Sequence, residues 1–186
     1  MDILSAFGLS ASAGLNAYIP LLVVALVGRF TDLIQLSSPW DALESWWVIG
    51  VLFILSVVEF FADKIPAVNH INDGIQTIVR PVAGAIVFAA STNIITDINP
   101  VLALVMGLFI AGTVHTVKSL AVRPAVTVTT GGAGNVPVSI AEDILSTILS
   151  ITAAVVPVLM AVILVLVGAL IVWWIWRRIN GERARI

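Results

Sequence analysis

From Pro137 to Trp176 the chain runs through roughly forty residues with only two charges, Glu142 and Asp143. As one helix this stretch would be about 60 Å long, twice the ~30 Å of hydrocarbon in a bilayer. It therefore divides into two segments, and Pro157, which cannot continue a helical ladder, is where it divides. A water-soluble domain carries about 45–50% apolar and about 25% charged residues. Here 60% of the 186 residues are hydrophobic and 11% are charged, too little polar surface to stay in water. The expected fold is all-α: a polytopic helical membrane protein, one transmembrane domain over residues 1–186.

Several function classes fall away at once. A net charge of −2 gives no reason to expect nucleic acid as a partner. With no cysteine there is no disulfide, thiolate nucleophile or Cys-ligated metal. No nucleophile–base–acid spacing is present, so no enzyme and no cofactor are expected. Met1-Asp2-Ile3 lacks the basic residue of a signal peptide, so the first apolar stretch is expected to stay in the mature chain.

Six spans are expected. The first covers Ile3 to Val27, broken at Gly14-Leu15-Asn16-Ala17-Tyr18-Ile19-Pro20. The second runs from Trp46 to Ala62. A polar loop, Ala67 to Gly74, leads to the third, Ile75 to Ser91, with Pro81 near its start. Asp97-Ile98-Asn99-Pro100 reads as a turn before the fourth, Val101 to Val122. A glycine-rich loop, Thr127 to Val136, precedes the fifth (Pro137 to Ala154) and the sixth (Val156 to Trp176). Lys and Arg gather on cytoplasmic loops. With six spans Lys64, Arg80, Lys118, Arg123, Arg177, Arg178, Arg183 and Arg185 share one side and Arg29 stands alone on the other. That places both termini in the cytoplasm, in a cell (inner or plasma) membrane.

A faint internal repeat lays Gly8 over Gly107 and Asn16 over His115. Paired acids follow in each half, Glu59 with Asp63 and Glu142 with Asp143, and then a proline-opened helix at Pro81 or Pro157. Halves 1–96 and 97–186 of three spans each would make an inverted repeat, a common transporter architecture.

The candidate binding residues are the polar groups at membrane depth. Pro20 removes a helical bond and Asn16 and Tyr18 bring polar groups to the break, a device that holds substrate in transporters; a plain kink is the alternative. Glu59 and Asp63, four apart, share a helix face. They would bind a proton or cation, or be neutralised near the interface. His115 lies one turn before Lys118. Glu142 and Asp143 are expected in the first turn of the fifth helix, where acids suit the macrodipole and Ser139 forms a loose capping box. Gly131, Gly132, Gly134 and Asn135 would cradle an anion or form a tight turn. His70 has no companion at ligand spacing, so no metal is expected. Glu59 and Glu142 facing one another across a cavity would suit a proton-coupled carrier. The structural alternative pairs each acid with Lys64, Arg80, Lys118 or Arg123.

The motifs Gly14-Leu15-Asn16-Ala17-Tyr18-Ile19-Pro20, Asp63-Lys64-Ile65-Pro66, Arg80-Pro81 and Thr130-Gly131-Gly132-Ala133-Gly134-Asn135-Val136-Pro137 with Ser139, Glu142 and Asp143 resemble those of DUF4126. This is a family of bacterial multi-pass membrane proteins of unknown function, and the resemblance implies no substrate. Two functions compete. One is a transporter or channel-like protein for a small solute or ion, with the bilayer as its surroundings and a homodimer made possible by small residues such as Gly8, Ser12, Gly107, Ala111 and Gly112. The other is an accessory subunit of a membrane complex.

Overall fold

The computed structural model describes the backbone of residues 3–92 and 98–183, and their side chains except at 66–70, 161, 175 and 178–183. Met1, Asp2, Asp97 and Arg185, and the side chains of His70, Arg178 and Arg183, lie outside the described residues. The described chain is helical and has no strand. Its elements are α1 (Ile3–Leu15), α2 (Tyr18–Phe30), a 3₁₀ turn (Trp40–Glu44), α3 (Trp46–Ala62), α4 (Pro66–Thr92), α5 (Pro100–Val117), a π-helical turn (Lys118–Val122), α6 (Arg123–Thr130), α7 (Asn135–Val155) and α8 (Pro157–Arg183).

Four segments are long and apolar enough to cross a membrane: Ile71–Thr92 in α4, Pro100–Thr130 from α5 through α6, Asn135–Val155 and Pro157–Trp174. The 17-residue α3 is shorter but apolar throughout its first three turns. Neither α1 nor α2, at 13 residues or about 20 Å each, spans the hydrocarbon.

Contacts fix the direction of every helix but the last. On α1, Phe7 meets Phe88 edge-on and the Ser10 hydroxyl donates to the Gly84 carbonyl, so α1 runs antiparallel to α4. On α2, Ala17 at the start bonds to Glu59, which Arg80 of α4 holds. Gly28 near its end faces Glu44, in the turn whose Trp40 packs with Phe88, so α2 runs parallel to α4. The same sense follows from α3, which meets α2 at Phe30–Trp46 and Ala17–Glu59. The first apolar segment is therefore a hairpin with its tip at Asn16-Ala17, and the expected kinked helix is corrected to two antiparallel ones. Asn16 makes the turn: its Oδ1 accepts from the N–H groups of Tyr18 and Ile19, capping α2 and satisfying donors a helix start leaves open.

This geometry also removes the inverted repeat. Ala6 packs in one cluster with Ala103, and a Cβ on Gly14 would meet Val114 and the Ala111 carbonyl. Hence α1 runs parallel to α5, whereas inverted halves require opposite senses. The segments after the aligned residues differ as well: α2 turns back, and α6 continues onward through the π turn. Nor does Pro81 open a helix, being interior to α4, which Pro66 opens.

Two loops expected from polarity are helical. Residues 67–74 belong to α4, because Asn72, Asp73, Gln76, Thr77 and Arg80 recur at helical spacing and form one inward polar stripe. Residues 127–130 belong to α6, where Thr127, Thr129 and Thr130 return their hydroxyls to carbonyls four residues back. The glycine turn is confined to Gly131–Gly134. Gly131 (φ 62°) and Gly132 (φ 90°) are left-handed, a conformation that only glycine adopts without strain, and they end α6.

Small residues set the packing. A Cβ on Gly107 would collide with the Gly84 carbonyl, and would lie 2.6 Å from the Phe88 Cβ, so α4 and α5 touch backbone to backbone. Between α1 and α7, Ser12 Oγ lies 2.8 Å from Ser146 Oγ and 2.7 Å from Ser150 Oγ, an interhelical hydrogen-bond ladder. Gly107→Ala is expected to destabilise the protein by about 1–3 kcal/mol through overpacking, read as a lower melting midpoint in detergent. A midpoint equal to wild type would show that α4 and α5 do not meet this closely.

Candidate functional site

The ends of the helices farthest from Phe30, Trp46, Thr92 and Pro100 bring the chain's polar residues together. Four acids, Glu59, Asp63, Glu142 and Asp143, meet four bases, Lys64, Arg80, Lys118 and Arg123. All but Lys64 are buried. Isolated charges cost several kcal/mol each away from water, so burial on this scale demands mutual pairing.

Arg80 forms the inner pair. Wholly buried in the third turn of the apolar part of α4, it sends Nη2 to Glu59 at 2.8 Å and Asp63 at 3.4 Å, and Nε to Glu59 at 3.2 Å. Asp63 caps α3 and links outward, receiving Arg123 at 3.0 Å, Lys118 at 3.8 Å and the Asn72 amide at 2.7 Å. Lys118 lies 2.8 Å from Glu142, which Arg123 also approaches at 3.4 Å, and Lys64 pairs with Asp143 at 2.9 Å. At the rim Asp73 lies 3.5 Å from Arg123. His115 joins through Nδ1, 3.2 Å from Arg80 Nη1, and through Nε2, 3.2 Å from Thr77 Oγ1. Because a guanidinium only donates, Nδ1 is the acceptor, and the ring proton is on Nε2.

The hairpin tip sits within this centre, and each broken helix end meets a charge of the fitting sign. The Leu15 carbonyl, at the negative end of α1, accepts from Lys118 Nζ at 2.9 Å. The Ala17 N–H, at the positive end of α2, donates to the Glu59 carboxylate at 3.1 Å. Both arrangements follow the helix dipole. Asn16 completes the tip by donating from Nδ2 to Asp143 at 3.0 Å. The π turn that places Lys118 widens the helical ladder, a distortion common at functional sites.

Of the predicted residues, Asn16, Glu59, Asp63, His115, Glu142 and Asp143 converge here. Tyr18 lies at the edge, half-buried, where it lines an apolar groove together with Leu21, Ile78 and Val79. Asn135 stands apart at the start of α7, exchanging hydrogen bonds with Thr127 at 3.0 and 3.1 Å, and Gly131, Gly132 and Gly134 form the turn before it and no part of the centre. Glu142 and Asp143 lie two turns inside α7, which starts at Asn135, so the helix-start explanation for them is withdrawn. Ser139 is likewise interior to α7 and caps nothing; its buried hydroxyl has no hydrogen-bond partner among the described residues. Glu59 and Glu142 do not face each other across a cavity, since Arg80, Lys118 and Arg123 stand among the acids. Sequence reasoning missed Gln76, buried on the polar stripe of α4, whose helical spacing was the available signal, and the Ser12–Ser146–Ser150 ladder. Among the described residues no group of His, Asp and Glu is arranged to hold a metal ion.

These features define an all-helical protein, with helices fit to cross a membrane, built round a helical hairpin whose tip ends in a buried ion-pair centre. The chain belongs to the family described as a domain of unknown function, DUF4126, whose model matches residues 3–177. Comparison with the curated proteins and with the solved structures found no match.

Proposed function

We propose that this protein is a membrane carrier whose access path runs past the hairpin tip, with the ion-pair centre as its gate. The observation that carries this reading is the chain break at Asn16-Ala17, held deep in the bundle by Lys118 and Glu59. Irregular backbone survives at membrane depth only where protein or water satisfies it, and carriers use such breaks to bind substrate. Ion pairs shared among several partners, as at Asp63 and Glu142, exchange partners at lower cost than isolated ones, which is what a gate requires. The transported species is a small solute or ion that enters those pairs. A proton relay between Glu59 and Glu142 is not part of the proposal.

In the bilayer we place five crossings, α3, α4, α5–α6, α7 and α8, with the α1–α2 hairpin entering from one side. The basic residues Lys64, Arg80, Lys118 and Arg123 then lie toward the end of the bundle where α8 emerges with Arg177, and Arg29 lies at the other end. The positive-inside rule makes the former cytoplasmic. The competing reading, an accessory subunit glued by the same ion pairs, predicts a tip that never opens.

The two differ without any knowledge of substrate. The sequence has no cysteine, so Ala17→Cys introduces a single thiol at a buried position. A carrier is expected to expose it slowly to a membrane-impermeant maleimide, from one face in intact cells and from the other in inverted vesicles. A Ser12→Cys/Ser146→Cys crosslink added to that variant should suppress both labelling reactions. A thiol that stays unlabelled from both faces, while one at Ser37 reacts, would end the carrier reading.

A further inference from the structure

Beside the ion-pair centre, a groove of about 440 Å³ opens between α5 and α7 against the end of α1. Leu15, Val114, Val117, Val138, Ala141 and Leu145 are among the residues that line it, and so are the paired Lys118 and Glu142. At ~30 Å³ per molecule the space equals roughly fifteen waters, which would find almost no hydrogen-bond partners on such walls. Its natural occupant is apolar along most of its length and polar at one end.

The Lys118–Glu142 pair selects the charge of that end. Lys118 at 2.8 Å and Arg123 at 3.4 Å both direct donors to one oxygen of Glu142, so the position between them is built for an oxyanion. An ammonium headgroup placed there would face two cations, whereas a phosphate replaces the Glu142 carboxylate and meets the same two donors. The groove also reaches Leu15, whose carbonyl Lys118 holds, so a ligand that draws Lys118 away loosens the hairpin tip.

We infer that this groove seats one acyl chain of an anionic phospholipid, with the lipid phosphate exchanging for Glu142 at Lys118 and Arg123. Resting on the carrier reading above, this makes the lipid the substrate, or the ligand that opens the gate. The protein, stripped of lipid in detergent, is incubated with phosphatidylglycerol, phosphatidylcholine or diacylglycerol, and retained adducts are counted by native mass spectrometry. Phosphatidylglycerol is expected to be retained at least tenfold better than the other two, and inorganic phosphate is not expected to displace it. Ala141→Trp fills the groove and leaves every ion pair in place, so it should lose that retention tenfold while keeping the wild-type melting midpoint. Lys118→Gln should lose the preference for the anionic lipid, provided that it folds. Equal retention of the three lipids, unchanged retention in Ala141→Trp, or displacement by phosphate alone would overturn the inference. Tip labelling at Ala17→Cys is read separately: labelling without lipid retention leaves a carrier of soluble solutes, and retention without labelling leaves a lipid-binding protein that is no carrier.

Discussion

Arg80→Met is expected to destabilise the protein more than any other single change, by about 3–5 kcal/mol, the cost of leaving buried charges unpaired. Arg80 has no exposed surface, and its guanidinium is the partner of Glu59 at 2.8 Å, of Asp63 at 3.4 Å and of His115 at 3.2 Å. Methionine fills the volume, so the loss would be electrostatic and would not come from a cavity. At roughly 2–4 °C per kcal/mol for a chain of this size, the melting midpoint in detergent should fall by about 6–20 °C. Arg80→Lys keeps the charge but not the planar fork that reaches both carboxylates, and should recover only part of the loss. Glu59→Gln/Arg80→Gln removes both charges and leaves two amides able to bond one another, so the pair should be more stable than Arg80→Met alone. A double variant no better than the single one would mean that Arg80 acts through packing and that the ion-pair centre is mis-described.

How much of this was legible in the sequence depends on period and on distance. The long apolar helices were, because about twenty apolar residues suit a membrane-crossing helix, and Pro157 marks the start of the last. The convergence of Asn16, Glu59, Asp63, His115, Glu142 and Asp143 was legible in kind, since ionisable groups at membrane depth must find one another. Their partners were legible as a pool of four bases but not as pairs: Lys118 to Glu142 and Arg123 to Asp63 are long-range contacts set by the packing of α5, α6 and α7. The start of α4 was misjudged because Asn72, Asp73, Gln76 and Thr77 look like a polar loop when only composition is weighed. Their spacing, continued by Arg80, is that of one helix face, and that signal was present. The hairpin was not readable from one chain. Gly14, Asn16 and Pro20 announce a break in a helix, and whether the chain then goes on or turns back depends on what α2 packs against, here α3, α4 and α7.

That reversal carries the second large effect, because under the proposed arrangement it moves one end of the protein across the membrane. A kinked but continuous first span puts Ile3 and the C-terminal arginines on the same side. The hairpin instead puts Ile3 beside the end that holds Phe30, Trp46 and Thr92, as the contacts of Phe7 with Phe88 and of Ala6 with Ala103 require. With the five crossings proposed above, an odd number separates the termini. A thiol introduced at Ser5 would be obscured by burial, so the N-terminus is best reported by a short cysteine-bearing extension ahead of Met1. In intact cells an impermeant maleimide is expected to label that extension and Ser37→Cys, and to leave Gly132→Cys, on the turn between α6 and α7, untouched until the membrane is opened. Burial does not explain the last result, since Gly132 is only half-buried and its neighbours Gly131 and Ala133 are exposed. The contrast is all or none, and no adjustment of helix tilt converts one pattern into the other. Protection of the N-terminal extension together with Gly132→Cys would restore a crossing first segment and remove the re-entrant tip on which the gate depends. Labelling of Gly132→Cys with protection of Ser37→Cys would keep the hairpin and invert the protein in its membrane.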